Sequence, residues 1–523
     1  MRTFPVSNRD ATKAGDEGSS TSQPKSSWTD SSGTKLGWPQ SSETVSPGSR
    51  WAIAFAGGHP STTLPTMIAP ARSFRRRLAS SGLWSAIGRV GSILAVLLNY
   101  RLIVALLDES ETSTYVVAAG LTSLATLACT GGLASAVLRR VAGSGGEARP
   151  RLSVDLMRRV GTLTAVYCVI VLTSVWIFLS YRPDYFGRPL AGYLPVLAGW
   201  ILARVSLAIM TEAARGMHCY GLASMTGGHK EGPLVNFAVT IGLLVGWKII
   251  DDPTDVFLLH VACTAVIAMI GVAMLYRTDR IAADENDAGD RQSEEPVRYR
   301  SLVSEGAKVL ISQLAVMGLV EIETLWIGRY CDDREINAWG VIRRLMEVVS
   351  GPLLLINAAI PSFVAELYAA GRTDALRRLL QSTAAAATPV ALLGFITLYF
   401  FGGSFLASYD PAYVEVGRVP LLILTAANVF FVAAGSAGFT LRMANHQGWA
   451  TTTTVLLAGV YFVIAPAVMQ RFGLMGVAVM SASLIVLRNG IATLLVRSKL
   501  GIWCTPWWHG FPKRQRSGVQ PAA

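Results

Sequence analysis

Long apolar segments alternate with short polar connections from residue 83 to residue 497. A helix needs about 20 predominantly apolar residues to cross the hydrocarbon core of a membrane. Clusters of Pro, Gly and acidic residues separate the apolar segments and predict turns. The pattern predicts an all-α polytopic membrane protein with twelve transmembrane helices, at residues 83–107, 114–137, 160–180, 190–212, 232–251, 256–276, 303–328, 338–360, 382–402, 419–441, 451–470 and 473–497.

The composition agrees with a membrane protein. Of 523 residues, 51% are hydrophobic and 15% are charged, whereas a soluble protein carries about 25% charged residues. The six cysteines are scattered and form no CxxC pair, so neither a disulfide framework nor a metal site is indicated. No phosphate-binding loop, HExxH or GxSxG motif occurs, and we expect neither enzymatic activity nor a cofactor.

The basic residues of the connections give the orientation. Loops on the cytosolic side of a membrane carry an excess of Lys and Arg. When the amino terminus is placed in the cytosol, seventeen basic residues fall in the inner loops and seven in the outer loops. Both termini are then cytosolic, and the net charge of +12 is explained by topology and not by nucleic-acid binding.

The polar connection in the middle divides the spans into two groups of six. We expect a disordered polar amino-terminal segment, because its composition offers little apolar area to bury. Met67 is an alternative start of translation. The predicted boundaries are the amino-terminal segment 1–72, a six-helix lobe 73–276, a cytosolic linker 277–300, a second six-helix lobe 301–498 and a basic cytosolic tail 499–523.

The two lobes resemble each other when the first is shifted by about 224 residues. The shift brings helix one onto helix seven, and the matching residues cluster around one acidic turn. Because the copies are six helices apart, both have the same orientation in the membrane. This indicates a parallel repeat, with lobes related by a pseudo-two-fold axis along the membrane normal around a central cavity. The matched pairs are Gly82 with Gly306, Asp108 with Asp332, Glu111 with Glu335 and Tyr115 with Trp339.

The most informative stretch is the hairpin Val303–Gly371, whose two apolar segments both carry charges. A charge inside a membrane span is costly and normally faces a protein interior or a wet cavity. Glu321 and Glu323 are two residues apart, about 200° around a helix, and cannot both face one cavity squarely. Arg343 and Glu347 are four apart and are expected to neutralise each other.

Predicted depth sorts the intramembrane charges into two groups. An inner set of arginines without acidic partners suits an anionic substrate that arrives from the cytosol, because guanidinium binds phosphate through two parallel hydrogen bonds. Snorkelling of each arginine to the headgroups is the alternative. The inner set, predicted to bind substrate, is Arg89, Arg204 and Arg488.

The outer set suggests a gate. Arg101 is predicted at the same depth as Glu321 and Glu323 on the matching helix of the other lobe, so an ion pair between them could close the outer side. The candidate gate or coupling residues are Arg101, Glu321, Glu323, Arg343 and Arg344.

Four segments resemble motifs of one transporter family. Residues 337–345, NAWGVIRRL, resemble a Y-x-x-A-x-R-L segment, with Trp339 in place of the usual Tyr. Residues 360–367, IPSFVAEL, resemble the proline-marked exit from helix eight, and residues 472–478, FGLMGVA, resemble the entry to a late helix. In the first lobe, residues 130–136, TGGLASA, resemble the end of helix two. The family is the polysaccharide flippases of the multidrug/oligosaccharidyl-lipid/polysaccharide exporter superfamily, and the resemblance covers residues 78 to 500.

The resemblance implies two six-helix lobes that work by alternating access. It also implies a flippase of the bacterial cytoplasmic membrane that moves undecaprenyl-diphosphate-linked oligosaccharides from the inner to the outer leaflet. Its partners would be that lipid-linked oligosaccharide, membrane lipids, and the glycosyltransferases and polymerase of the same pathway.

Three other functions are compatible with this class of protein but fit the sequence less well. A multidrug/cation antiporter of the same fold should carry acidic residues deep in the first lobe, whereas helix one carries Arg89 and Arg101 and no carboxylate. Polysaccharide polymerases and ligases resemble one another in having a large outer loop that carries catalytic residues. The longest outer loop predicted in this sequence, residues 403–418, is short for that role. A lipid II flippase usually has fourteen helices, two more than the pattern predicts.

Overall fold

A computed structural model describes residues 71–143, 153–227, 231–286, 298–369, 371–444 and 446–506. The predicted disordered segment 1–72 lies almost entirely outside these residues, as do residues 287–297 of the linker and residues 507–523 of the basic tail. We name the ends of the helices inner and outer after the predicted topology, in which the start of the first helix faces the cytosol.

Eight α-helices form the first six membrane crossings. The second crossing is interrupted by two glycines, and the fifth by the connection that contains Glu231. The helices are α1 Ala71–Leu106, α2 Glu109–Thr130, α3 Leu133–Gly143, α4 Val154–Tyr181, α5 Leu194–Gly216, α6 Tyr220–Thr226, α7 Pro233–Val245 and α8 Pro253–Asn286.

Seven further helices form the last six crossings. A π-helical turn, Leu314–Gly318, joins the first two of them into one crossing. The last helix contains two crossings, which meet at Gly473. The helices are α9 Tyr299–Gln313, α10 Leu319–Tyr330, α11 Asp333–Ala369, α12 Thr373–Tyr409, α13 Ala412–Ala433, α14 Ala437–Met443 and α15 Gln447–Leu500.

The described residues contain nine helices long and apolar enough to span a membrane. Three additions raise the number of crossings to the predicted twelve: the second crossing of α15, the shorter pair α6–α7, and α11, whose apolar part carries Arg343, Arg344 and Glu347. Large apolar side chains on the outside of these helices are exposed, for example Leu393 at 64% and Phe400 at 69%. Such surfaces suit contact with lipid, and the twelve-helix, two-lobe prediction is confirmed.

The helix contacts repeat after six crossings. The α1–α7 packing of the first lobe matches the α10–α15 packing of the second, and α5–α8 matches α13–α15. The two lobes meet through α1 against α11 and through α2 against α10, which are again equivalent pairs. The parallel repeat expected from the sequence is therefore present in the packing.

The acidic turns that suggested the repeat start the second crossing of each lobe. Asp108 accepts a hydrogen bond from the Glu111 backbone N–H, and Glu111 closes the capping box by accepting from the Asp108 N–H. Asp332 accepts equally from the Glu335 N–H at 2.8 Å. The Glu335 carboxylate instead accepts from the Leu474 N–H at 3.0 Å, beside Gly473. The second crossing of both lobes therefore begins with an aspartate N-cap. The two lobes differ in that the Glu335 carboxylate binds the bend of α15.

Two glycines let the lobes approach closely at the inner end. Gly132, between α2 and α3, has φ +73°, a backbone conformation that L side chains rarely adopt. A Cβ at this position would lie 2.3 Å from the carbonyl oxygen of Gly306 on α9. Beside this contact, Arg140 donates to Glu305 at 2.9 Å and to Ser301 at 2.7 Å. The inner ends of α3 and α9 are therefore held together.

We predict that Gly132→Ala destabilises the protein. Ala at positive φ costs about 1–2 kcal/mol, and its Cβ would also push against the Gly306 carbonyl. Thermal unfolding of the purified protein in detergent should show a lower Tm. The control is Gly161→Ala, because a Cβ at Gly161 in α4 meets nothing within 4 Å and should leave the Tm unchanged or raise it. Equal Tm values for the two variants would contradict the prediction.

Candidate functional site

Arg344 lies on α11 where the two lobes meet. Its guanidinium is 3.9 Å from the ring centroid of Tyr100 on α1, and it donates to the Gly340 carbonyl. Tyr100 also donates to the Asn337 carbonyl at 3.0 Å, so α1 and α11 are joined twice at this level. Within the described part of the chain, no carboxylate forms a salt bridge with Arg344. An aromatic face therefore takes the place of an acidic partner.

The two glutamates of α10 have separate partners. Glu321 forms a bidentate ion pair with Arg343 of α11, with N–O distances of 2.9 and 3.1 Å. Glu323 accepts hydrogen bonds from Tyr461 and Ser481 of α15. The two carboxylates point in different directions, as their 200° separation predicted.

These contacts correct the gate expected from the sequence. Glu321 is paired within its own lobe, because α11 brings Arg343 within 3 Å of it. Glu323 has two hydroxyl donors instead of an arginine. Arg101 is exposed near the outer end of α1 and forms a salt bridge with neither glutamate. The pairing of Arg101 with Glu321 or Glu323 does not occur in this structure.

Arg89 is also paired, contrary to the expectation that it is free for substrate. Its guanidinium is 3.5 Å from the carboxylate of Glu347 on α11, across the boundary between the lobes. From the sequence, Glu347 was predicted to pair with Arg343, four residues earlier on the same helix. Glu347 pairs with Arg89 instead, because α1 packs directly on α11 and brings Arg89 close to it.

Arg488 and Arg442 form the least compensated cationic group of the second lobe. Arg488 lies on α15 seven residues after Ser481, hence on the same helix face and about 10 Å nearer the inner end. Arg442 lies on α14, which packs against α15. It contacts the Phe439 ring at 4.3 Å and the Gly438 carbonyl at 3.3 Å. Among the described residues, neither arginine has a salt bridge to a carboxylate.

Arg204 belongs to a polar cluster inside the first lobe. It donates to Ser123 at 3.1 Å and lies 5.6 Å from the ring of Trp200. The Trp200 Nε1 in turn donates to Glu231 at 2.6 Å. Arg204 is therefore buried among polar groups of α2 and α5 rather than extended to the headgroups, which argues against snorkelling for this residue.

Glu231 is the centre of this cluster, and sequence reasoning missed it. Its carboxylate lies 3.1 Å from His260 Nδ1, and His260 Nε2 lies 3.3 Å from the Tyr115 hydroxyl. Thr264 also donates to Glu231, at 3.3 Å. Glu231 and His260 are both buried, with side-chain exposures of 9% and 3%. The first lobe thus contains a buried titratable pair that the absence of carboxylates from α1 had seemed to exclude.

The break between α6 and α7 places Glu231 in the lobe. Asn236 donates to the Glu231 carbonyl at 2.9 Å, and Ser92 of α1 is at 3.5 Å from the same oxygen. Asn99 of α1 donates to the Asn236 carbonyl at 3.0 Å. Interrupted helices inside membrane proteins often form binding sites. The signal in the sequence was an acidic residue followed directly by Gly232–Pro233 ahead of an apolar run, which had been interpreted as an inner loop.

The outer ends of the lobes are joined by a separate set of contacts, which we call the outer latch. Arg188, before α5, pairs with Asp333 at the start of α11, and Ser113 of α2 contacts both. Glu109 of α2 lies 3.7 Å from Arg334, and its carbonyl accepts from Asn337. All of these bonds except the one between Arg188 and Ser113 cross from one lobe to the other, so the outer side of the lobe boundary is closed here.

The interior of the described part of the chain carries more positive than negative charge. Its arginines exceed its glutamates by one. Cationic surroundings of low dielectric favour an anionic ligand. The arginines are Arg89, Arg204, Arg343, Arg344, Arg442 and Arg488, and the glutamates are Glu212, Glu231, Glu321, Glu323 and Glu347.

No protein-family model matches the sequence, and no curated protein matches it. Several solved structures match the protein in fold. The MATE multidrug transporter DinF-BH superposes with a TM-score of 0.59 at 17% identity, over 84% of this chain and 98% of that chain. A mutant of the Vibrio cholerae MATE transporter VcmN superposes with a TM-score of 0.55 at 14% identity, over 82% and 98%.

A third structure is a MOP superfamily transporter from Pyrococcus furiosus, described as having a binding pocket of reversed polarity that suggests a different function. It superposes with a TM-score of 0.57 at 12% identity, over 82% of this chain and 96% of that chain. Identities this low establish architecture and not substrate. The protein is a multi-pass membrane protein with the twelve-helix, two-lobe fold of MATE transporters of the MOP superfamily.

Proposed function

We propose that this protein is a lipid-linked oligosaccharide flippase of the bacterial cytoplasmic membrane. It moves undecaprenyl-diphosphate-linked glycans from the inner to the outer leaflet by alternating access. The observation that carries the proposal is the group of interior arginines without a carboxylate partner among the described residues, namely Arg344, Arg442 and Arg488.

A diphosphate is a suitable ligand for such a group. It brings at least two negative charges, and its oxygens accept the parallel N–H donors of guanidinium. Arg442 and Arg488 lie on packed helices and form no salt bridge with a described carboxylate, so they would gain most from binding an anion. A cationic drug would be repelled by the same charges. The charge balance thus favours the flippase over export of cations.

The positions of the arginines suggest an order of contacts. Arg442 and Arg488 lie toward the inner end of the second lobe, where a lipid headgroup from the cytosolic leaflet would arrive. Arg344 lies nearer the outer end, eleven residues into α11, at the lobe boundary. A diphosphate would bind the inner pair first and reach Arg344 as the lobes rearrange. Arg89 and Arg343 are neutralised by Glu347 and Glu321, so they would not compete with Arg344, Arg442 and Arg488 for the diphosphate.

Alternating access also requires that the closed side can open. The outer latch provides contacts that can break without exposing an apolar core, because its ion pairs lie near water. Partial exposure also keeps the energy of each pair small, as for other surface ion pairs. The outer latch therefore takes the place of the gate expected between Arg101 and the glutamates of α10.

A multidrug/cation antiporter is the second candidate function. The fold matches solved MATE transporters, and the buried Glu231–His260 pair could carry a proton. The same pair could equally drive a flippase, because coupling does not fix the substrate. The excess of interior arginines distinguishes the two, and the Pyrococcus furiosus transporter illustrates that pocket polarity differs within this superfamily.

We expect Arg442→Gln and Arg488→Gln each to lower translocation of a fluorescent undecaprenyl-diphosphate sugar in proteoliposomes by about tenfold, the value of one charge-assisted hydrogen bond. Arg442→Lys and Arg488→Lys should retain part of the activity, because charge remains while the bidentate geometry is lost. Arg372→Gln, an exposed inner arginine outside the lobe interior, is the control. Wild-type translocation in both interior variants, or none in the wild-type protein, would contradict the proposal.

The outer latch can be tested by reversing its charges. Asp333→Arg should repel Arg188 and open the outer side, whereas Asp333→Arg combined with Arg188→Asp should close it again. The reporter is Val117→Cys in a background without native cysteines, since Val117 is fully buried and faces Gly328 across the lobe boundary. A membrane-impermeant thiol reagent should label it faster only in the single charge variant. Equal labelling of the single and double charge variants would rule out the latch.

The antiporter is tested with a cationic dye. We expect no proton-driven efflux of ethidium from proteoliposomes, with either the wild-type protein or Glu231→Gln, under conditions in which the lipid-linked sugar is translocated. Dye efflux that depends on Glu231, without translocation of the lipid-linked sugar, would establish the antiporter instead.

A further inference from the structure

A cavity of about 630 Å³ opens at the inner end of the second lobe, away from the lobe boundary. Its size falls in the range of binding sites for small organic ligands, about 300–1,000 Å³. It lies between α12, the end of α13 and the end of α15, and the segment that follows α15 forms one wall. The lining residues are Arg377, Gln381, Thr388, Phe430, Ala433, Ala434, Gly490, Thr493, Leu494, Trp503, Thr505 and Pro506.

The cavity opens toward the lipid-facing side of the lobe. Leu494 is 59% exposed and Phe430 is 40% exposed, as expected for side chains at a lipid surface. Successive helix residues are rotated by 100°, so Gly490 lies about 200° around α15 from Arg488, which shares its face with buried Ser481. The cavity is therefore on the opposite side of α15 from the proposed substrate arginines.

The wall of the cavity is amphipathic. Phe430, Ala433 and Leu494 supply an apolar surface, whereas Arg377 lies four residues into α12, at the inner end, and is exposed. Nearby, Arg497 stacks on Trp503 with its guanidinium 4.4 Å from the ring centroid. Among the described residues, the lining contains no carboxylate. An apolar slot with a cation at its inner rim matches a molecule with a hydrocarbon chain and an anionic head.

We propose that this cavity binds an anionic phospholipid of the cytosolic leaflet, with one acyl chain along Phe430 and Leu494 and the phosphate at Arg377. Basic pockets on the cytosolic side of membrane proteins recognise anionic headgroups. The chain's own tail is a poorer occupant, because Lys513, Arg514 and Arg516 would bring further positive charge to Arg377. The bound lipid would bridge α12, α13 and α15 and stabilise the inner end of the lobe.

The test compares retention of phosphatidylglycerol by full-length protein. Protein extracted from vesicles of phosphatidylcholine and phosphatidylglycerol is analysed by native mass spectrometry, and its Tm is measured with each lipid. We expect wild-type protein to retain one phosphatidylglycerol in preference to phosphatidylcholine and to gain Tm from it. Arg377→Gln should weaken retention about fivefold, the effect of one basic residue near an anionic lipid surface.

Two further variants make the outcome specific to the cavity. Arg378→Gln removes the neighbouring exposed arginine, which does not line the cavity, and should behave as wild type. Thr493→Trp should fill the cavity and abolish both retention and the gain in Tm, while translocation of the lipid-linked sugar persists. Equal retention by the Arg377 and Arg378 variants would overturn the proposal. So would stronger retention after deletion of residues 507–523, which would identify the tail as the occupant.

Discussion

The cost of a charge in the membrane interior is the constraint on which this structure depends. Each interior arginine needs a carboxylate, an aromatic face or a ligand, because hydrocarbon cannot solvate a guanidinium charge. Two arginines are matched by glutamates, Arg343 within one lobe and Arg89 across the lobe boundary. Arg344 is matched by the ring of Tyr100. Arg442 lies over the ring of Phe439, and among the described residues neither Arg442 nor Arg488 forms a salt bridge with a carboxylate. This local imbalance of charge is the clearest chemical feature of the second lobe.

The two lobes have diverged within a common architecture. Equivalent helices pair in both, and both second crossings begin at an acidic cap. The first lobe, however, contains a titratable pair at an interrupted helix, Glu231 with His260. The second lobe contains arginines that form no salt bridge with a described carboxylate, namely Arg344, Arg442 and Arg488. Such a division would let one lobe respond to protons while the other binds an anion. Both lobes meet along α1–α11 and α2–α10, so a change in either can alter the shared boundary.

The outer and inner ends of that boundary are built differently. The outer latch consists of ion pairs and hydrogen bonds near the ends of the helices, which can exchange with water. The inner contact between α3 and α9 depends on the close approach of Gly132 and Gly306, where a single methyl group would collide with backbone. Opening the outer end therefore exchanges polar contacts, while opening the inner end separates a tight backbone contact. The alternating access proposed above would require both changes in turn.

The sequence by itself determined the membrane class, the twelve crossings, the six-plus-six repeat and the importance of interior charge, because hydropathy and helix period act along the chain. Only the tertiary structure decided the partners. Local spacing suggested Arg343 with Glu347, yet packing of α11 on α10 and α1 gave Arg343 to Glu321 and Glu347 to Arg89. The sequence pattern placed Glu231 in an inner loop, whereas the break between α6 and α7 places it beside His260 inside the lobe. Pairing of charges depends on which helices touch, and one sequence without its fold does not contain that information.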